Sequence, residues 1–342
     1  EGLSLEPDYA ATQAKAAGEK ILQALNRLYQ LNDFEYHSSC SIGISMFSKD
    51  VSADELLKQA DTAMYEAKAA GRNALRFFDP AMQAALEARA TLEADLRQAL
   101  AQQQFVLHFQ IQVNAVNQPI GAEVLLRWNH PQRGLILPES FITLAEETGL
   151  IQPIGHWVLE TACAQLKTWE ADAGRRDLVL AVNVSARQFG AIEFVNQIES
   201  LLFSSDIVPS RLKLEITESM LLDNIEKDIS TMRQLKALGV SFSIDDFGTG
   251  YSSLQYLKRL PLDQIKIDQS FVRELGSNSS DRAIVRTIIV MANSLDLDVI
   301  AEGVETEEQK QMLLSTGCMH FQGYLFGRPV AIEQFEMLLK KT

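Results

Sequence analysis

Hydrophobic and polar positions change rhythm several times along this chain. In the first 78 residues, the run "AATQAKAAGEKILQALNRL" repeats its apolar positions at helical spacing, and "HSSCSIGISMF" alternates as a strand does. The stretch "SADELLKQADTAMYEAKAAGRN" predicts a helix with Ser52 as N-cap, Glu55 completing a capping box and Gly71 as the stop. "ALRFF" predicts a short strand closing this α/β piece. From Asp79 to Gln104 the pattern is that of one amphipathic helix. Leu92, Leu96 and Leu100 recur at i, i+4, and Pro80 lies in its first turn. We read residues 79–104 as a connector between residues 1–78 and residues 105–342.

From Phe105 short strand-like runs alternate with helices: "FVLHFQI", "GAEVLLRW", "LVLAVNV", "LKLEIT", "VSFSID", "DQIKID", "LDVIAE" and "MHFQGYL". Several helix starts carry capping-box pairs: Ser185 with Gln188, Asp223 with Glu226, and Thr306 with Gln309. Eight strands with interleaved helices over this length predict an α/β fold of the (β/α)8, TIM-like barrel type. A doubly wound sheet would show GxGxxG after its first strand, and the chain has none. The short link "QVNAVNQP" makes the first two strands a hairpin, so one strand is expected to run antiparallel. Trp157, Trp169 and Met232 fall on apolar helix faces and are expected in the core.

Composition narrows the function classes. Of 342 residues, 46% are hydrophobic and 22% charged, as in an ordinary globular protein. The net charge of −14 disfavours a nucleic-acid polymer or an anionic membrane as partner. Cys40, Cys163 and Cys318 form no CxxC pattern and read as reduced residues of a cytoplasmic protein. No apolar run reaches the roughly 18 residues of a membrane span, and the opening residues do not read as a signal peptide. This segment is therefore expected to make no membrane contact, although a longer parent could be tethered upstream. The five histidines lack metal-binding spacing, so a bound metal would take oxygen ligands, which favours Mg²⁺ or Mn²⁺ over zinc.

Candidate chemistry lies at the C-terminal ends of the predicted strands, which open into one mouth in such a barrel. Read in order these ends supply Glu123, Asn183, Glu215, Asp245 with Asp246, Lys266 with Asp268, Glu302 with Glu305, and Gln322. Any one of them could be an ordinary polar strand end; so many in phase cannot be put down to solvation. Carboxylates about 4 Å apart repel by about 4 kcal/mol per pair at an effective dielectric near 20, so the cluster needs cations. Two divalent ions would suit it and would serve phosphoryl hydrolysis. Arg127 shares a strand face with Glu123 and suits a phosphate oxygen. Lys266, between apolar neighbours, is expected to face inward, either in a salt bridge to Asp268 or Asp246 or holding the hydrolytic water. The "DFG" in "DDFGTG" lacks the other protein-kinase motifs. Its "GTG" reads instead as a mobile loop, with Gly248 and Gly250 permitting unusual backbone angles and Thr249, Ser252 and Ser253 offering hydrogen bonds.

Residues 105–341 resemble the EAL-domain cyclic di-GMP phosphodiesterases through "EVLLRW", "NVS", "EITES", "DDFGTGYSSL", "IKID", "AEGVE" and "QGYLFGRP", in that order. The resemblance implies hydrolysis of cyclic di-GMP to linear pGpG with two Mg²⁺ or Mn²⁺ ions, and a homodimer through this domain. It implies Glu123, Asn183, Glu215 and Asp245 as ligands of the first ion, with Asp245 bridging to a second that Asp246 also binds. It gives Glu302 as second-ion ligand or general base, and Lys266 as the lysine contacting the hydrolytic water. Asp268 and Glu305 correspond to acidic residues near the second ion, and Gln110, Arg127 and Gln322 to substrate contacts. Glu218 corresponds to the glutamate that steadies the "DDFGTG" loop. Two departures, Val124 for alanine and Ile111 for proline, touch no charged position.

Residues 1–78 resemble the C-terminal half of a GGDEF domain through "CSIGIS", "ADTAMYEAK" and "GRNALRFF". The GGDEF signature is absent, so this part is expected neither to bind GTP nor to make cyclic di-GMP. Two other functions compete with hydrolysis. A catalytically silent EAL domain would act as a cyclic di-GMP receptor, and would show lost ligands. An enolase-type barrel would abstract an α-proton, and would take a small carboxylate.

Overall fold

The computed structural model describes residues 7–26, 28–31, 34–46, 51–218, 220, 225–248, 257–276 and 279–340, with residues 7–9, 12, 28, 30, 31, 34, 37 and 80–87 described by backbone alone. The chain divides into two compact units, Glu1–Asp95 and Leu96–Thr342. In the first, strands β1 (Leu28–Leu31) and β2 (Phe34–His37) form an antiparallel hairpin, and β3 (Ile42–Ile44) runs parallel to β4 (Leu75–Phe77). The β1–β2 hairpin has no counterpart in the sequence reading, because its strands are four residues each and too short to show a period. Helix Ala53–Ala69 lies between β3 and β4 in the chain. Ser52 Oγ accepts from the Glu55 N–H at 3.2 Å, as an N-cap should. The helix read over 79–104 spans Pro80–Ala99.

The second unit is a closed eight-stranded barrel. Its strands are β5 (Phe105–Asn114), β6 (Pro119–His130), β8 (Val179–Asn183), β9 (Leu212–Thr217), β10 (Ser241–Phe247), β11 (Gln264–Ile267), β12 (Asp298–Ala301) and β13 (His320–Gln322). All neighbours are parallel except at β5, which runs antiparallel to both β6 and β13. The expected hairpin and reversed strand are both present. Two short strands were not expected: β7 (Gly134–Ile136) pairs with β6, and β14 (Val330–Ala331) with β5. Both are too short to carry an alternation of their own. The capping boxes at Ser185 and Thr306 form. Asp223, Thr249, Gly250, Ser252 and Ser253 lie outside the described residues.

Strand alternation and register sort the inward-facing side chains into layers of four, each drawn from alternate strands. Gly121, Lys213, Gln264 and His320 form the floor. Above them lie Ala181, Ser243, Ile300 and Gln112, then Glu123, Glu215, Lys266 and Gln322. Asn183, Asp245, Glu302 and Gln110 complete the stack at the mouth. This interior is polar where many barrels are filled with aliphatic residues. The apolar core lies instead between the strands' outer faces and the surrounding helices. Helix Ile151–Glu170 buries Ile154, Val158, Leu159, Ala162, Leu166 and Trp169, and Trp169 stacks on Phe335 at 5.9 Å. Met232 is fully buried, and Trp157, half-buried, packs near Phe105.

Gly121 is the one floor position without a side chain, for a steric reason. A Cβ there would lie 2.2 Å from the Val179 carbonyl oxygen on the neighbouring strand, and backbone cannot move aside cheaply. We expect Gly121→Ala to cost about 1–3 kcal/mol, the range for overpacking a filled interior. Urea unfolding of the variant against the parent chain measures this, and an unchanged midpoint would contradict the close approach.

Candidate active site

Lys266 stands at the centre of the mouth because "QIKI" is a strand inside the barrel, where alternation turns Gln264 and Lys266 inward. Its side chain is almost wholly buried, with Nζ 2.7 Å from Glu215 Oε2 and 2.7 Å from Glu302 Oε1. Asp245 Oδ1 lies at 3.2 Å and Glu123 Oε2 at 3.6 Å. Of the alternatives the sequence left open for Lys266, a bridge to Asp268 or Asp246 is replaced by this four-way contact. Burial alone would lower the lysine's pKa, but the surrounding carboxylates outweigh it and hold the group well above its usual value.

The carboxylates have the opposite difficulty. Burial pushes Glu215 up to about 8 despite the neighbouring ammonium, with Glu123 and Asp245 adding repulsion. Glu302 is raised well above the carboxylate range, by burial first and then by its acidic neighbours. One lysine therefore does not neutralise the cluster. Glu123, Glu215 and Asp245 each offer an oxygen within 4.8 Å of the others, and Glu215 Oε1 is buried without a hydrogen-bond partner. A buried carboxylate oxygen without a donor is costly unless a cation takes its place. An all-oxygen donor set suits a hard divalent ion, so these residues fit Mg²⁺ or Mn²⁺.

Amides complete the ring. Asn183 Nδ2 donates to Glu123 Oε1 at 2.7 Å, and Gln322 Nε2 donates to Glu123 Oε2 at 2.5 Å and to Gln110 Oε1 at 3.1 Å. Gln112, which the sequence reading passed over, donates to Gln322 Oε1 at 2.8 Å and fixes that amide. Its signal was available: Gln112 is two residues from Gln110 and so shares its face.

The adjacent aspartates depend on a break in regular pairing. Opposite β11, strand β10 carries a bulge between Ile244 and Phe247, and Asp246 takes φ 54°. The bulge cancels strict alternation, so consecutive carboxylates serve one end of the strand. Asp246 donates its N–H to Asp245 Oδ1 at 2.9 Å, and burial, then Asp245 and Asp268, raise its pKa.

The cleft at this mouth has a volume of about 350 Å³. Gln110, Glu123, Arg127, Asp245, Lys266, Glu302, Glu305 and Gln322 line it. Arg127 is buried and donates to the Leu126 carbonyl at 2.8 Å. Asp268 accepts from the Ser270 N–H at 3.0 Å as N-cap of helix Gln269–Arg273, so its side chain already has a structural task. Glu218 Oε2 accepts from the Gly248 N–H at 3.1 Å, tying strand β9's exit to the start of the loop after β10. Tyr324, also on the cleft, was not singled out from sequence.

The chain matches known families along most of its length. Residues 93–329 match the family described as EAL domain, and residues 3–74 the family described as diguanylate cyclase, GGDEF domain. It is 47% identical over 331 residues to the bifunctional diguanylate cyclase/cyclic di-GMP phosphodiesterase MucR of Pseudomonas aeruginosa, covering 96% of this chain and 48% of that protein. Over 342 residues it is 37% identical to the cyclic di-GMP phosphodiesterase PdeR of Escherichia coli, covering 100% of this chain and 51% of that protein. A solved structure of PaMucR phosphodiesterase in complex with c-di-GMP is similar at 49% identity and a TM-score of 0.69, covering 72% of this chain and 99% of that one. The chain spans about half the length of the curated relatives it matches.

Removing the central cation tests the electrostatic account. In chelator, Lys266→Met leaves buried carboxylates uncompensated and is expected to cost about 3–5 kcal/mol. Adding Mn²⁺ should narrow the gap to the parent chain, because the ion supplies part of the lost positive charge. Urea melts with EDTA and with Mn²⁺ read both effects; equal losses in the two would contradict the account.

Proposed function

Because the chain belongs to the EAL domain family, we propose that it is a metal-dependent phosphodiesterase that cleaves one diester of cyclic di-GMP to give linear pGpG. The observation that carries this reading is the convergence of Glu123, Glu215, Asp245 and Glu302 on one buried lysine, with a Glu215 oxygen left unpartnered. The chain retains every acidic position the family resemblance assigns, which favours a working enzyme over a silent receptor. The Arg127 and paired-glutamine lining suits a phosphodiester, not the small carboxylate of an enolase-type substrate.

Glu123, Asn183, Glu215 and Asp245 would hold one divalent ion, and Asp245, Asp246 and Glu302 a second. When bound, the ions would supply charge stabilisation of the phosphoryl group and activation of water. Within the chain, Lys266 orients the attacking water, and Glu302, whose Oε1 lies 2.7 Å from the lysine, takes its proton. Arg127 offers its guanidinium to a phosphate oxygen. The water oxygen bonds to phosphorus, the P–O3′ bond breaks, and a proton passes to the 3′ oxygen. Gln110 and Gln322, held to each other, position the diester. Asp268 and Glu305 add negative charge toward the second ion, and Glu218 steadies the loop that begins at Gly248.

We assign the activity to residues 105–342, with residues 1–78 as a partial GGDEF domain and residues 79–104 as the connector. The same reading carries a homodimer through the EAL domain and a cytoplasmic site of action. Among the described residues, no helix is long and apolar enough to cross a membrane.

Incubation with cyclic di-GMP and Mg²⁺ or Mn²⁺, followed by reverse-phase chromatography, is expected to give pGpG, and EDTA to stop it. Glu123→Ala and Asp246→Ala should each cut the rate by about 100-fold or more. Even groups one step removed from a metal cost 10–100-fold when lost. Binding without product would favour the receptor, and full activity in either variant would overturn the ligand assignment.

A further inference from the structure

The motif "QGYLFGRP" contributes Gln322 to the site, but its tyrosine and arginine have no assigned task. Their placement is built with care. Gly323 packs so closely on the next loop that a Cβ would sit 2.1 Å from the Val304 carbonyl oxygen. The following turn is anchored along its length: Leu325 N–H donates to Val304 O at 3.0 Å, and Phe326 and Gly327 donate back to Gly323 O at 3.1 and 3.2 Å. Phe326 stacks on Phe321 at 6.2 Å, and Gly327 O accepts from Gln110 Nε2. The turn is thus fixed to the barrel core on one side and to the cleft floor on the other.

Tyr324 stands on this rigid turn at the rim of the cleft, with 49% of its surface exposed. It is the one aromatic residue among the described residues lining that cleft. The Arg328 guanidinium carbon lies 4.0 Å from its ring centroid and covers one face. That contact holds the ring's orientation, so the exposure that remains is on the other face and the edges. The phenol is also close enough to Arg127 to be felt in that group's electrostatics. A flat, preoriented ring therefore lies near the cation suited to a phosphate, and a nucleotide joins a planar base to a phosphate in this way.

We infer that Tyr324, backed by Arg328, is the stacking platform for one purine base of the substrate and so a substrate-binding residue. This rests on the cyclic di-GMP reading. Stacking on an aromatic ring is sequence-tolerant and contributes directly to base binding. It acts on the bound ground state and on the transition state alike, so it sets KM and leaves kcat nearly alone.

Steady-state kinetics of the full chain with cyclic di-GMP and Mn²⁺ test this. Tyr324→Ala and Tyr324→Leu are expected to raise KM about 10-fold or more with kcat changed less than about 2-fold, the signature of a lost stack. Tyr324→Phe and Tyr324→Trp should restore KM, and Arg328→Met should raise it by less than Tyr324→Ala. An unchanged KM in both non-aromatic variants, in a chain whose parent form cleaves cyclic di-GMP, would overturn the platform alone. So would a loss confined to kcat, which marks a structural role. A parent chain that neither binds nor cleaves cyclic di-GMP would overturn the underlying reading, and the platform with it.

Discussion

Everything at the mouth of this barrel is arranged around one buried ammonium. Lys266 could not sit at the centre of a protein without anions, and the four carboxylates around it could not sit together without a cation. The balance is deliberately incomplete in charge: one positive group faces several negative ones. The raised pKa values of Glu215 and Glu302 express that deficit, and divalent ions are the natural way to relieve it. An ion bound there would couple folding to metal affinity through the same side chains.

The layered interior explains how the fold tolerates this. In most barrels the inward side chains are aliphatic and contribute to stability. Here the inward layers are Gly121, Lys213, Gln264 and His320, then Ala181, Ser243, Ile300 and Gln112, then the acidic ring around Lys266. Hydrophobic stabilisation comes from the annulus outside the strands, where Trp169, Phe335, Leu166 and Phe109 pack against one another or against neighbouring helices. The apolar core and the candidate chemistry occupy opposite faces of the same strands.

Much of this was legible in sequence because strands report themselves twice, by alternation and by what ends them. All eight barrel strands and the residues gathered at their ends follow from those two signals, and one reversed strand follows from the short link between the first two. What escaped had no period to read. β7 and β14 are three and two residues long, and the bulge that lets Asp245 and Asp246 serve together is a backbone irregularity invisible in a residue string. Lys266 is inside as expected, but the salt bridge weighed for it, to Asp268 or Asp246, is made instead to Glu123, Glu215, Asp245 and Glu302. Glu215 and Glu302 are distant in sequence and close only through the barrel's closure. Asp268 carries a structural task that its acidity did not announce, since its carboxylate caps a helix. Tyr324 escaped because an aromatic residue after a strand is usually packing, and its exposure is a property of the folded turn.

The reversed strand has a consequence for how this barrel is joined to anything before it. In a barrel of uniformly parallel strands, the polypeptide enters at the floor, remote from the mouth. Because β5 runs the other way, its first residues pair with the last of β6: Phe105 faces Trp128, and Val106 faces Arg127. The entry point is bolted there, with the Asn129 N–H donating to Gln104 O at 2.7 Å and Trp128 Nε1 donating to Gln104 Oε1 at 2.9 Å. A pull or twist on the incoming chain is thus applied at the working rim, one ladder rung from the guanidinium on the cleft wall. The polypeptide's own route makes the rim, not the floor, the handle by which the barrel is held.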